Sequence, residues 1–106
     1  MVSSDELEGL ILARLEPTVH FCADTEAMLE THAGDLDAKD RVRKLVAHVR
    51  REASAFAVRV ESSGPFPSAA DVERVMRREF DVVASAQFGV LDVLERLVER
   101  RQLADV

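Results

Sequence analysis

AKDRVRKLVAHVRREASAFAVRVE, residues Ala38 to Glu61, places Val42, Leu45, Val46, Val49, Ala53, Phe56 and Val60 at steps of three and four. That is one face of an α-helix, where side chains return about every 3.6 positions. A strand would repeat every second residue, and no window of the chain alternates in that way. Arginine, lysine and acids fill the other positions, so the helix has one apolar face and one wet one.

The same period continues on both sides. The loop ESSGPFPSAAD (61–71), with Gly64, Pro65 and Pro67, ends the first run. Val72, Met76, Phe80, Val83, Val90, Leu94 and Leu97 then form a second stripe, in a span of residues 68–102 that reads as one long helix. Gly89 lies inside it, at a cost of about 1 kcal/mol relative to alanine. Upstream, HAGDLDAKD (32–40) reads as a helix end, a turn and a new N-cap. Before that turn, Val19, Cys22, Leu29 and Ala33 make a stripe, with Phe21 and Met28 on its shoulder. Pro17 separates this run from DELEGLILARLE (5–16), which Ser3 or Ser4 caps. The expected fold is all-α: a single domain over residues 1–106, built as an antiparallel helical bundle of three long helices plus a short N-terminal helix.

Composition narrows the function. With no Trp or Tyr and five Phe, the core has to come from Leu, Val, Ala and Met. The net charge of −6 argues against nucleic acid, because phosphate binding needs clustered cations. The basic pairs Arg50-Arg51, Arg77-Arg78 and Arg100-Arg101 lie among acids at helical spacing, as on a solvated face. Cys22 is the only cysteine, which rules out an intrachain disulfide and a cysteine-based zinc site. No apolar run approaches the roughly 18 residues of a membrane span, and MVSSDELEG is too acidic for a signal or transit peptide. The expected setting is cytoplasmic, with neither membrane nor nucleic acid as partner. No nucleophile constellation or phosphate loop is present, and Cys22 lies on an apolar stripe.

Polar residues on the apolar side of a helix are the candidate site. On a helical wheel His48 and Glu52, four residues apart, project together from the margin of the Val42–Val60 stripe. Glu26 lies within the stripe of the first long helix, Glu79 on the shoulder of the last, and Gln87 near the latter's centre. Carboxylates and imidazoles converging inside a bundle are ligands for non-haem iron or manganese. The alternative is that Glu26, Glu52 and Glu79 are boundary residues paired with neighbouring arginines. His20 points away from Cys22 and Leu29. His32, beside Gly34, is placed to meet the carbonyls that end its helix.

His48, Glu52, Phe56 and the ESSGP turn together resemble the second helix of hemerythrin-like (HHE cation-binding) domains. VMRREFDVV (75–83) is similar to the opening of that family's next helix, with Phe80 where a histidine would stand. The likeness spans roughly residues 15–95, and the chain holds no counterpart of the family's fourth ligand helix. The resemblance implies iron or manganese held by His48 and Glu52, with Glu79, Glu26 and, by order along the chain, His20. The role it implies is binding or sensing of a small diatomic, or iron handling. Phe80 removes one ligand, so a second copy is expected to complete the bundle as a homo-oligomer, a dimer. The rival expectation is a metal-free helical module that binds protein, itself included, through an apolar stripe.

Overall fold

In the computed structural model, residues 1–104 are described, and they form four helices with no strand. The helices are α1 (Ser4–Thr31), α2 (Leu36–Ser62), α3 (Ala69–Glu79) and α4 (Asp81–Glu99). None of them is long and apolar enough to cross a membrane.

Two boundaries differ from the sequence expectation. The short N-terminal helix does not exist separately, since α1 runs straight through Pro17. Proline removes one backbone donor, which would have served the carbonyl of Ala13. Both residues are exposed, so water reaches that carbonyl. Continuity fixes the phase of α1: Ile11, Leu15, Thr18, Cys22, Thr25 and Leu29 are buried. Val19, expected on the stripe, is 58% exposed.

The last helix also differs. It is interrupted at Phe80 and unbroken through Gly89. An Arg59 N–H reaches the carbonyl of Glu79 at 3.5 Å, a carbonyl that would otherwise accept only within the helical ladder. Phe80 meanwhile stacks edge-on against Phe56, with ring centroids 5.4 Å apart.

Side chains finish the helix ends. Ser3 Oγ accepts from the Glu6 N–H at 3.1 Å, and Asp35 Oδ1 accepts from the Asp37 N–H at 2.9 Å. At the start of α3, Ser68 Oγ donates to Asp71 Oδ2 and Arg74 donates to Oδ1. Those two hydrogen bonds, that from Ser68 first, hold the Asp71 carboxyl below its ordinary range.

α2 is the central element and packs against α1, α3 and α4, whereas α1 and α4 meet only sparsely. Two apolar clusters lie along it. One joins Ile11, Leu15, Phe56, Val60, Phe66, Val72, Met76 and Val83; the other joins Cys22, Leu29, Val42, Val46, Val49, Val90, Leu97 and Leu103. Between them Thr18 Oγ1 donates to Gln87 Oε1 at 2.7 Å, so the buried hydroxyl is satisfied across the α1–α4 gap. After α4 the chain turns back: the Ala104 N–H donates to Ala33 O and the Asp35 N–H to Gln102 O, which docks Leu103 under the α1–α2 turn.

Candidate functional site

The five metal-ligand candidates do not converge. His48 Nδ1 and Glu52 Oε1 are neighbours on α2, 4.0 Å apart, with His48 exposed and Glu52 half-buried. Glu79 is committed elsewhere, to Arg59 at 2.9 Å and Arg78 at 3.3 Å, one carboxylate oxygen to each. Glu26, on α1, pairs with Arg50 of α2. His20 lies beside Glu16, 3.7 Å away, on the wet side of α1. A carboxylate engaged by guanidinium has both its charge and its acceptor positions taken. Among the described residues no three His, Cys, Asp or Glu side chains come close enough to share an ion. The donor set therefore does not fit a di-iron centre within one chain. Phe80, where the resemblance would place a histidine, instead carries a ring stacked on Phe56 and covered at 4.6 Å by the Arg14 guanidinium.

Cys22 and His32 have structural roles. Cys22 is 1% exposed, and burial pushes its thiol up; Arg50 pulls the other way by less, and Glu26 adds to the rise. It is a small buried hydrophobe, not a nucleophile. His32 Nδ1 lies 2.8 Å from the carbonyl of Met28, at the end of α1.

No family model, curated protein or solved structure matches this chain.

Large apolar side chains are exposed on α1 (Leu12, Val19), on α2 (Leu36, Val58) and on α4 (Val82, Phe88, Leu91). Ala84, Phe88, Leu91 and Glu95 recur at steps of four, three and four, the spacing of a helix–helix seam. Phe88 is 67% exposed and Leu91 49%, two large apolar side chains outside the Val83–Val90–Leu97 stripe that α4 buries. Together with Phe80, Ala84 and Gln87 they line a notch of about 180 Å³. Farther along, between α1 and α4, Met28, Leu94, Val98 and Leu103 line an apolar cleft of about 320 Å³ with Glu95 and Glu99 at its rim. The sparse approach of α1 and α4 leaves this whole flank open.

The core periodicity of this helix, Val83–Val90–Leu97, does not include the stripe. A readable signal existed. Phe88 and Leu91 are large apolar residues three apart on the polar side of an amphipathic helix, and neither serves the Val83–Val90–Leu97 core.

Proposed function

We propose that this chain is a metal-free helical interaction module that self-associates through the flank between α1 and α4. In this reading its helices form an antiparallel bundle with one wall missing, and a second molecule supplies it. The observation that carries the reading is the exposure of Phe88 and Leu91 side by side on a seam-like stripe, next to a notch and an apolar cleft. Exposed apolar side chains that lie together in this way mark interaction surfaces more often than isolated ones do. The iron-binding alternative loses support where Glu26 and Glu79 are held by arginines, which leaves only His48 and Glu52 as a neighbouring pair.

Phe88→Asp tests the reading. Because Phe88 touches no buried cluster, its replacement leaves the fold intact, with a stability change within about 0.5 kcal/mol. In light scattering after size exclusion, the wild-type chain is expected at twice its 11.8 kDa mass and Phe88→Asp at the single mass. Equal masses for the two would remove the α4 stripe from the account.

A further inference from the structure

We infer that the molecule seated on the α1–α4 flank is a second copy of this chain, packed antiparallel about a two-fold axis through Phe88, with Arg14 of each copy meeting Glu95 of the other. The inference rests on the self-association reading and adds its register.

The charges on this flank are arranged for that pairing. The Arg14 guanidinium lies over Phe80, eight residues before Phe88, while Glu95 lies seven residues after it. At about 1.5 Å per residue, the cation and the carboxylate stand roughly 10–12 Å to either side of Phe88. A two-fold axis through Phe88 therefore exchanges the two positions. Neither Arg14 nor Glu95 has a salt-bridge partner among the described residues, so each is available to another molecule.

Shape agrees with charge. The interface is isologous, so what one copy offers the other must receive. Leu91, one step beyond the axis, falls over the partner's notch, which Phe80, Ala84, Gln87, Phe88 and Leu91 line. The two Phe88 rings, each at the edge of its own notch, meet at the centre. The parallel arrangement fails on the same observations, since it sets Arg14 against Arg14 and Glu95 against Glu95. An unrelated partner would need a base and an acid at the same separation, with an apolar centre between them. This chain carries that set itself.

Sedimentation equilibrium of the full chain tests the register, with Arg14→Glu, Glu95→Arg and the double exchange compared with wild type. Each single exchange breaks two symmetry-related pairs and sets like charges opposite, and is expected to raise the dimer Kd roughly tenfold. The double exchange restores both pairs with reversed polarity, and its Kd returns to within about threefold of wild type. Arg14 also packs on Phe80, so Glu95→Gln gives a readout independent of that contact: it weakens the dimer and flattens its salt dependence. A double exchange no tighter than the single ones, in a dimer that Phe88→Asp still dissociates, overturns the register and leaves the self-association reading standing. A monomeric wild type, or a dimer indifferent to Phe88→Asp as well, overturns both.

Discussion

Phe56→Ala is expected to lower the free energy of unfolding by about 3–5 kcal/mol, the usual cost of truncating a fully buried aromatic residue. Phe56 has no exposed surface and sits where three helices and a loop meet, among Leu15 of α1, Phe66 of the loop and Met76 of α3. Its ring also holds Phe80 edge-on, at an interplanar angle of 83°. Alanine removes that contact and leaves a cavity that rigid neighbours on three elements cannot jointly fill. Since a domain of this size is stable by only about 5–15 kcal/mol, the loss is a large share of the total. Urea titrations at matched protein concentration measure it, because self-association would otherwise add to both curves. A loss below about 1 kcal/mol would mean that Phe56 is not the centre of this cluster.

Gly34→Val is expected to cost about 2–3 kcal/mol, for a different reason: overpacking together with loss of a docked side chain. Gly34 has no positive φ, so conformational freedom does not explain it. Space does. A β-carbon there would lie 2.6 Å from Leu103 Cδ2 and 2.9 Å from the carbonyl of Gln102. The side chain can swing aside, but the carbonyl cannot, because it accepts from the Asp35 N–H. Valine must therefore push residues 102–104 away and expose Leu103, which is otherwise 4% accessible. The variant should unfold at lower urea and be cut faster by protease after Arg100 and Arg101. Unchanged cleavage with unchanged stability would show that the segment does not dock under the turn.

The helices were legible from periodicity wherever one apolar stripe met one partner. Every residue of the Val42–Val60 stripe is buried or nearly so, and Gln87, placed at the centre of its stripe, meets Thr18 there. Local signals and tertiary contacts disagree at two places. Pro17 suggested a break, but its exposed position let α1 continue, and with the phase shifted Thr18 and Thr25 became core while Val19 turned outward. Gly89 suggested a weak point in the last helix, yet the interruption fell at Phe80, where the Arg59 side chain bonds the Glu79 carbonyl. No periodic pattern encodes that long-range contact.

The candidate site was less legible than the fold. His48 and Glu52 are adjacent as their spacing required, because neighbours on one helix follow from geometry alone. Whether Glu26 and Glu79 join them depends on how α1 and α3 sit against α2, and on which arginines reach them first. Arg50 and Arg59 do so, and a long flexible cation is drawn to the nearest half-buried carboxylate. The exposed face of α4 carries no signal in the core stripes, because its apolar residues are those left over once the core is filled.

In the proposed dimer two copies meet along the exposed face of α4, and Phe88→Cys tests this most directly. Phe88 lies at the centre of that face, and the native Cys22 is too buried to compete for oxidant. Under mild oxidation the variant is expected to form a disulfide-linked dimer rapidly and nearly completely at micromolar protein, while wild type and a Leu12→Cys control, on the opposite edge of α1, do not. Failure of Phe88→Cys to cross-link, with Leu12→Cys cross-linking instead, would contradict the account and move the interface to the α1–α2 side.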